Sequence, residues 1–363
     1  MITKELIIIG GGPSGLCAAK TAAEAGIHVL IIERSPIIGG QLVKQTHKFF
    51  GSKNQYAKMR GFDIAKKLIH DLEGFPNVEI KTDTTVVGLY PDYVVTTLCG
   101  ETYTRYQAQS IIVATGASEK FLAFENNDLP GIYGAGAIQT LMNLYGVLPG
   151  HEVVMVGSGN IGLIVSYQLM QAGVQVKAII EASKNIGGYK VHASKMRRLG
   201  VPILTSTTVK KAIGQDHIEA VELIKLDDQW QEIEGTNEMM KVDALCISVG
   251  LSPMHQLLSM IGAQTKFVSE LGGFVPVIDY HHQTTVKNVY SCGDAVGIEE
   301  ASSAMMEGYL TGLYVSKNLS KPHPKHDELI SLYESQLELL RDGPFGIKTK
   351  IGLEKLREEL KHA

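Results

Sequence analysis

Two glycine-rich turns in this sequence have the residue types and the spacing that bind phosphate groups. In the first, an apolar strand (residues 6–9) runs into Gly10, Gly12 and Gly15, and a helix rich in small residues follows. Gly10 permits the tight turn, Gly12 lets the backbone approach a pyrophosphate, and Gly15 lets the helix pack closely on the strand. The N-terminus of that helix offers N–H groups and the positive end of its dipole to the phosphates. We therefore predict a dinucleotide site at this turn.

An acidic residue completes each copy of the pattern. Glu33 ends the strand after the first helix, where it is placed to accept hydrogen bonds from an adenosine ribose. The second copy has Gly157, Gly159 and Gly162 between a strand and a helix, and its next strand ends at Glu181 after nearly the same interval. Two complete copies imply two bound dinucleotides. The simpler alternative is a glycine turn that serves packing alone, and it applies more readily to the second copy.

The second acid also bears on which dinucleotide binds. A carboxylate at Glu181 accepts from a free ribose 2′-OH and repels a 2′-phosphate, which favours NAD(H) over NADP(H). The basic residues that follow can soften this preference; they are Lys184, Lys195, Arg197 and Arg198.

Three later segments show how the two halves of the chain interleave. One strand ends at residues 114–116 and a counterpart spans 242–253, and we expect the chain to cross to the other domain after each. Between them, "ENNDLPGIYGAGA" (125–137) is rich in Gly, Pro and Asn, which predicts a linker. The chain then returns with a short strand over 289–292.

A Gly-Asp pair follows that last strand. Gly293 and Asp294 precede a long helix of small residues, predicted over 299–319. At a strand end before a helix, the carboxylate can hold a polyol hydroxyl while the helix dipole faces electronegative atoms. The alternative is that Asp294 only caps the helix.

Composition excludes several classes of protein. The chain has 363 residues, 44% of them hydrophobic and 20% charged, and a net charge of −4, which suits about two globular domains. Its basic pairs are scattered, so we expect no nucleic-acid partner. The apolar runs are too short for a signal peptide or a membrane span, and the four cysteines are widely spaced. We expect a cytoplasmic protein without a disulfide framework.

Four motifs in a fixed order carry a resemblance to a known family. They are "GGGPSG" with Glu33, "ATGA", "GSGNIG" and "CGDAVG", and they extend over residues 1 to about 320. Together they are similar to the two-dinucleotide-binding-domain flavoproteins, the pyridine nucleotide–disulfide oxidoreductase superfamily of thioredoxin-reductase-like size. The resemblance implies an α/β fold with two Rossmann-like domains. An NAD(P)-binding domain (123–251) would be inserted into a split FAD-binding domain (1–122 and 252–363).

The resemblance also implies which residues hold each cofactor. FAD phosphates would lie on the first glycine turn, its ribose on Glu33, its ribityl chain on Asp294, and its pyrimidine edge near the helix after Gly297. The residues expected to contact FAD are Gly10, Gly12, Pro13, Ser14, Gly15, Glu33, Arg34, Gly40, Gln41, Val86, Ala114, Thr115, Gly116, Gly293 and Asp294. Those expected to contact NAD(H) are Gly157, Gly159, Asn160, Ile161, Gly162 and Glu181.

The sequence departs from the disulfide reductases of this superfamily. Those enzymes carry a redox-active cysteine pair either just after the Gly-Gly of the first domain or inside the NAD domain. Here the corresponding stretches are "GGQLVKQTHKFFG" (39–51) and "GIYGAGAIQTLMN" (131–143), and neither contains cysteine. A thiol–disulfide relay requires cysteine, so we expect no disulfide reductase. Cys292 would lie near the flavin, where a single buried cysteine usually serves packing.

The first of these stretches holds the candidate catalytic side chains. Gln41 could bond the flavin edge, and Lys44 or His47 could stabilise charge on reduced flavin or deliver a proton. Phe49 and Phe50 could shield the ring from water. The alternative is that the polar residues solvate a loop and the phenylalanines are core. We expect no metal site, because the adjacent histidines at 281–282 would point to opposite sides of a strand.

These features predict an FAD-dependent oxidoreductase that transfers a hydride between NAD(H) and flavin. Electrons would pass on to a non-thiol acceptor, either a small molecule or a protein. The wording "DLPGIYGAGAIQTLM" (128–142) is also similar to FAD-containing α subunits of opine, sarcosine and D-amino-acid dehydrogenases and of hydrogen cyanide synthase. The alternative function is therefore that of an electron-transfer and assembly subunit in a heteromeric amine, opine or amino-acid dehydrogenase. A dinucleotide sensor without turnover is a third possibility.

The C-terminal segment bears on partners. The α subunits named above often end in a cysteine-rich iron–sulfur segment, but residues 342–363 contain no cysteine. A cluster would thus have to come from a second subunit or a small iron–sulfur protein. A leucine stripe at 329–340 has near-helical spacing, which suits packing or a contact in a homo- or hetero-oligomer.

Overall fold

The computed structural model describes residues 1–49, 52–343 and 346–358. The chain forms two compact units, unit 1 (Met1–Ser118 with Ser252–Ala363) and unit 2 (Glu119–Leu251), so the second is inserted into the first. The first boundary lies slightly earlier than the position between residues 122 and 123 that the resemblance implied.

Strands and α-helices alternate over residues 2–81 and 132–205, and elsewhere strands mostly follow strands until the chain ends in helices. The strands are β1 (Ile2–Ile9), β2 (Val29–Ile32), β3 (Val78–Lys81), β4 (Thr85–Leu89), β5 (Val94–Cys99), β6 (Thr102–Val113), β7 (Ala117–Glu119), β8 (Ile132–Gly134), β9 (Glu152–Val156), β10 (Gln175–Glu181), β11 (Ile203–Thr205), β12 (Thr207–Ile213), β13 (Ala220–Lys225), β14 (Glu238–Lys241), β15 (Ala244–Ile247), β16 (Leu251–Pro253), β17 (Thr265–Val268), β18 (Gly273–Pro276) and β19 (Val289–Ser291). The α-helices are α1 (Pro13–Glu24), α2 (Gly61–Glu73), α3 (Ala135–Tyr145), α4 (Asn160–Gln171), α5 (Lys190–Arg198), α6 (Gln256–Met260), α7 (Ala301–Asn318), α8 (His326–Arg341) and α9 (Gly346–Arg357).

Unit 1 is built on a mainly parallel sheet. Its strand order is β3-β2-β1-β6-β5-β4, and β19 pairs in parallel with the C-terminal part of β6. Ile9 and Ser291 are both in register with Val113, so the residues that follow β1, β6 and β19 emerge together at one edge. Parallel sheets bind ligands outside the carboxyl ends of their strands, so this edge is where a site is expected.

Unit 2 repeats that plan. Its parallel sheet has the order β11-β10-β9-β15-β8, beside a three-stranded antiparallel sheet of β12, β13 and β14. Val156 is in register with both Ile180 and Ile247, and Ile247 is in register with Gly134. The turns after β9, β10, β15 and β8 therefore share one edge of this sheet. The parallel sheets in both units confirm the predicted α/β fold class.

The central strands read as continuous apolar runs because both of their faces are covered. Leu6, Ile7 and Ile8 are fully buried, as are Val153, Val154 and Met155 in the second unit. Such runs are typical of parallel strands packed between helices on both sides.

Helix α7 packs directly on α1 in unit 1. A Cβ at Gly308 would lie 2.2 Å from the Ser14 carbonyl oxygen, and one at Gly312 would lie 2.3 Å from that of Ala18. The Thr21 hydroxyl donates a hydrogen bond to the Tyr309 carbonyl at 2.9 Å. Because α7 follows the Gly-Asp turn and α1 begins at the first glycine turn, this contact holds the two predicted cofactor-binding segments of unit 1 together.

One prediction about secondary structure was wrong. Residues 125–137 are not a linker, because they include β8 and the start of α3. Strand β8 pairs with β15, which lies more than a hundred residues later, so local composition could not show that partner.

Candidate functional site

The first glycine turn needs glycine for steric reasons at two positions. Gly10 has a φ of +110°, and a Cβ there would lie 2.3 Å from the Ala114 carbonyl oxygen. A Cβ at Gly15 would lie 2.0 Å from the carbonyl oxygen of Gly10 itself. Glycine thus lets β1, the turn after β6 and helix α1 approach one another.

Gly12 differs from these two because it faces open space. A Cβ there would have one neighbour within 4 Å among the described residues, the Gly40 Cα at 3.9 Å. Gly12 is also the N-cap of α1, and no described side chain caps that helix. With Pro13 at the first helical position, the amides of Ser14 and Gly15 are available to an anion.

Glu33 lies at the end of β2 and is held by backbone amides. Its Oε2 accepts from the Gly11 N–H and its Oε1 from the Ser35 N–H, both at 2.8 Å. The side chain is buried, and each oxygen keeps a lone pair for another donor. This arrangement fits a ribose diol. Arg34, the next residue, is exposed.

The Gly39–Gly40 turn closes over the first glycine turn. The Gly39 N–H donates to the Gly11 carbonyl at 2.8 Å, and a Cβ at Gly40 would lie 2.7 Å from the Gly12 Cα. The turn opens a short 3₁₀ helix over Gly40–Lys44. The Gly40 backbone therefore lies directly against that of Gly12. We call the open space beside Gly12 the cradle, and a side chain at position 12 would project into it.

The three candidate catalytic side chains lie on and just after this 3₁₀ helix. Gln41 is exposed, while Lys44 and His47 are partly exposed. The His47 ring stacks on that of Phe49, with centroids 5.7 Å apart. Phe50 lies outside the described residues. The structure thus brings Gln41 beside the cradle by way of Gly40.

The turn after β6 lies against the end of β1 and Gly10. The Ala114 N–H donates to the Ile9 carbonyl at 2.8 Å, and the Thr115 hydroxyl donates to the Met254 carbonyl at 2.8 Å. Gly116 has a φ of +73°, in the left-handed region that favours glycine. Val86 is partly buried on β4, two residues after Thr84, whose N–H donates to the Glu33 carbonyl. Val86 packs against the buried cluster that includes Ile9 and Ile32.

Asp294 follows β19 at the same edge of the sheet. Gly293 has a φ of +68°, and a Cβ on it would lie 2.6 Å from the Ser14 hydroxyl, so the turn packs on the start of α1. Asp294 Oδ1 accepts from the Glu299 N–H at 3.3 Å. Burial raises the pKa of Asp294 to about 7, and the neighbouring carboxylates of Glu299 and Glu307 act in the same direction. A carboxyl with a raised pKa at the carboxyl edge of the sheet, in a turn that packs on the start of α1, is a candidate binding group.

The second glycine turn reproduces the first in unit 2. Gly157 has a φ of +102°, and a Cβ there would lie 2.1 Å from the Ser248 carbonyl. A Cβ at Gly162 would lie 2.2 Å from the Gly157 carbonyl. Gly159, like Gly12, is an N-cap, and a Cβ on it would have no described atom within 4 Å. Ile161, in the first turn of α4, is exposed.

Glu181 accepts hydrogen bonds from backbone amides at positions equivalent to those that bind Glu33. Its Oε2 accepts from the N–H and hydroxyl of Ser158 at 3.0 and 2.6 Å, and its Oε1 from the Ser183 N–H at 3.0 Å. The side chain of Asn160 is also engaged, because its Oδ1 accepts from the Tyr189 N–H at 2.8 Å. The second acid is therefore preorganised in the same way as the first.

A second glycine pair was missed in the sequence. The Gly188 N–H donates to the Ser158 carbonyl at 2.9 Å, as Gly39 does to Gly11, and a Cβ at Gly187 would lie 3.8 Å from the Gly159 Cα. The signal was present, because Gly187–Gly188 follows Glu181 at the interval at which Gly39–Gly40 follows Glu33. In both units a Gly-Gly turn therefore borders the open space beside the middle glycine of the glycine turn.

A carboxylate caps α3 where the resemblance places a thiol pair. Glu119 Oε1 accepts from the Gly136 N–H at 2.6 Å, and a Cβ at Gly134 would lie 2.3 Å from Oε2 of the same side chain. The N-terminus of α3 is thus occupied by an acid. Nearby Cys246 is buried, and burial, with a smaller contribution from Glu119, raises the pKa of its thiol well above the ordinary value.

Neither a metal centre nor a membrane-length helix is found in the described part of the chain. The described residues contain no group of three or more His, Cys, Asp or Glu side chains arranged to hold a metal ion. None of their helices is both long enough and apolar enough to cross a membrane.

Comparison with protein families identifies the fold. The model of the pyridine nucleotide-disulphide oxidoreductase family matches residues 4–308, which include both glycine turns and Asp294. The chain belongs to this family. It is accordingly a flavin-dependent oxidoreductase, as the order of the motifs predicted.

Similar proteins include components of larger enzymes. The chain is 27% identical to the α subunit of sarcosine oxidase from Rhizobium meliloti (strain 1021), over 88% of this chain and 31% of that protein. It is 25% identical to one of the subunits of opine oxidase from the same strain, over 88% of this chain and 72% of that protein. The chain thus spans about a third of the sarcosine oxidase protein.

A solved structure supports the architecture. Thioredoxin reductase of T. acidophilum superposes with a TM-score of 0.72 at 20% identity, covering 88% of this chain and 99% of that one. At that identity the likeness concerns the fold alone.

We predict that Gly187→Ala weakens dinucleotide binding in unit 2 without unfolding it. The new methyl group would find ordinary contacts, 3.8 Å from Gly159 and 4.0 Å from the Glu181 carboxylate, but it would project into the cradle. We expect NADH affinity to fall by at least about tenfold, equivalent to ~1.4 kcal/mol. Calorimetric titration would measure it, with Gly74→Ala, in open space at the end of α2, as the matched control. Unchanged NADH affinity would show that the cradle is not the site.

We also predict that Asp294→Asn makes the stability of the cofactor-free protein less sensitive to a rise in pH between about 4 and 7. Because the folded-state pKa of Asp294 is raised to about 7, its contribution to stability is present at low pH and is lost as the pH rises through 7. Asparagine keeps the shape without the charge, so the unfolding temperature of the variant should decline less between about pH 4 and pH 7. Parallel curves for the two proteins would contradict the assignment. FAD affinity should fall in the same variant.

Proposed function

We propose that unit 1 binds FAD and unit 2 binds NAD(H), and that the protein moves a hydride between them. The observation that carries this proposal is the duplicated cradle. In each unit an uncapped helix N-terminus, an open glycine and a carboxylate held by backbone amides lie together. Asp294 is an addition found in unit 1, where a ribityl chain would need a hydroxyl acceptor.

The residues of unit 1 fit FAD by their chemistry. Bound flavin supplies the hydride-accepting centre and the electron transfer. The amides of Ser14 and Gly15 would bind its phosphates, Glu33 its ribose, and Asp294 a ribityl hydroxyl. Gln41 would orient the ring edge through a hydrogen bond. Lys44 and His47 would balance negative charge beside it.

The choice of NAD(H) rests on Glu181. Its carboxylate is already held by three donors from Ser158 and Ser183, so it cannot turn away from a 2′-phosphate without breaking them. A 2′-phosphate would therefore meet a fixed negative charge, whereas a 2′-OH would donate to it. Lys184 pairs with Asp228, which reduces its availability to a phosphate.

The electron acceptor is proposed to be something other than a disulfide of this chain. Burial raises the pKa of the Cys17 and Cys292 thiols to about 12, which keeps both protonated and poorly nucleophilic. Cys246 is buried as well, and Cys99 is an exposed residue at the end of β5. In addition, the Glu119 carboxylate occupies the N-terminus of α3, where the resemblance places a thiol pair.

The central test is anaerobic reduction by NADH. Purified protein should be yellow, and NADH should bleach its flavin absorbance more effectively than NADPH does. Gly12→Ala should bind FAD at least about tenfold more weakly, because the methyl group would occupy the open side of the turn. Glu181→Gln should weaken NADH by about tenfold, the scale of a lost hydrogen bond to a charged group. A colourless protein that takes up no FAD on reconstitution would refute the proposal.

The second candidate function is that of one component in a heteromeric amine, opine or amino-acid dehydrogenase. It is supported by the relatives, which are themselves named as subunits of sarcosine and opine oxidases. In that case substrate would be oxidised on another polypeptide, and a second dehydrogenase or a small iron–sulfur protein would exchange electrons with this one.

Co-expression with neighbouring reading frames distinguishes the two candidates. A component of such a complex should co-purify with a second flavoprotein or an iron–sulfur protein and show amine oxidation only together with it. Full NADH:dye reductase activity and amine oxidation by the lone chain would argue against this role.

A further inference from the structure

A buried ionic cluster lies behind the Gly293–Asp294 turn. Arg341, at the end of α8, donates from Nε to both carboxylate oxygens of Glu299 at 3.1 Å, and its Nη2 donates to Glu299 and to Glu307. The Arg341 side chain is 8% exposed and each glutamate side chain 7%. One guanidinium therefore binds two carboxylates almost entirely out of water.

Both carboxylates connect to the turn. The second oxygen of Glu307 accepts from the Gly293 N–H at 2.8 Å, in the buried interior. Glu299 donates its own N–H to the Asp294 carboxylate at 3.3 Å. Arg341 is thus one residue removed from each half of the Gly-Asp pair.

Stability alone is a weak explanation for such a cluster. Desolvating two carboxylates and a guanidinium costs several kcal/mol per ion, and apolar residues of the same shape are often as stable or more so. Burial alone would lower the pKa of Arg341, but Glu307 and Glu299 outweigh it and raise that pKa above the ordinary value. The guanidinium is therefore charged, while burial raises the pKa of Glu299. The planar guanidinium can hold both glutamates in one arrangement.

Arg341 also lies beyond the part of the chain that the family model matches, residues 4–308. Helix α8 brings it back to the carboxyl edge of the unit 1 sheet. No sequence pattern indicated this return, since Arg341 is far from Gly293 along the chain.

We propose that Arg341 is a positioning residue for the flavin, acting through Glu299 and Glu307 on the Gly293–Asp294 turn. This inference rests on the proposed binding of FAD in unit 1. Glu307 orients the Gly293 amide and Glu299 orients the Asp294 carboxylate. The guanidinium fork fixes the two glutamates relative to each other, so that Asp294 faces the cradle.

The experiment separates charge balance from geometry. Arg341→Lys keeps the positive charge without the fork, and Arg341→Met leaves two buried carboxylates unpaired. The triple variant R341M/E299Q/E307Q removes all three charges while Gln retains a carbonyl acceptor for the Gly293 amide. Lys350→Met is the control, because Lys350 forms exposed ion pairs with Glu338 and Asp342 on the same C-terminal helices. Cofactor-free protein of each variant is titrated with FAD, and its unfolding temperature and bound-flavin spectrum are recorded.

The expected results differ between the two measurements. Arg341→Met should lose both stability and at least about tenfold in FAD affinity, the scale of a broken charge-assisted contact. The triple variant should recover its unfolding temperature, since no charge is left unpaired, yet still bind FAD about tenfold more weakly with an altered spectrum. Arg341→Lys should remain folded and bind FAD more weakly than wild type, and Lys350→Met should match wild type.

Several outcomes would overturn the inference. FAD affinity within about twofold of wild type in the triple variant would show that the cluster matters only through charge balance. FAD affinity within about twofold of wild type in Arg341→Lys or Arg341→Met would show that the guanidinium fork does not position the flavin. Each of these variants is informative by itself, even where another one fails to fold. A loss in Lys350→Met as large as in Arg341→Met would also count against it. A wild-type protein that binds no FAD would refute the proposed function together with this inference.

Discussion

The missing Cβ at the end of each central strand is the constraint on which both sites depend. At Gly10 and Gly157 any side chain would collide with the carbonyl of the residue that follows the neighbouring parallel strand, Ala114 in unit 1 and Ser248 in unit 2. Glycine lets the strand ends and the following helix converge on one small volume. The helix N-terminus, the acid and the closing Gly-Gly turn can then all face the same space. The cradle is therefore built from backbone, and backbone positions vary less than side-chain rotamers do.

The acidic groups of the protein are stabilised in two different ways. Glu33 and Glu181 lie at strand ends, where amides of the adjacent glycine turns bind their oxygens. Glu299 and Glu307 lie in a buried region where the Arg341 guanidinium compensates both, and a backbone amide, that of Gly293, binds Glu307 as well. The first arrangement is local and recurs in both units. The second links the Gly293–Asp294 turn to helix α8 within unit 1, and among the described residues it has no counterpart in unit 2.

Local chemistry explains which parts of the fold were foreseen. The strand ends at Ile9 and Val156, both glycine turns and both acids follow from apolar runs and glycine spacing within about thirty residues. The segment over 125–137 was misassigned because the partner of β8 lies far along the chain. The Gly187–Gly188 turn was overlooked although its spacing repeats that of Gly39–Gly40, since a glycine pair in a loop is ambiguous until its neighbour is known.

The class of the protein follows from its amino-acid order without any coordinates. Each βαβ unit is a short-range pattern of glycines and an acid. The two such units, together with the "ATGA" and "CGDAVG" motifs in a fixed order, indicate the family. Folding was needed to reveal how the Gly-Gly turns close over the glycine turns, that a carboxylate caps α3, and that Arg341 lies behind Asp294. These features depend on contacts between residues distant in the chain. No periodicity or spacing encodes the α3 cap or the place of Arg341, and the repeated Gly-Gly interval can be interpreted only when the strands have paired and the helices have packed.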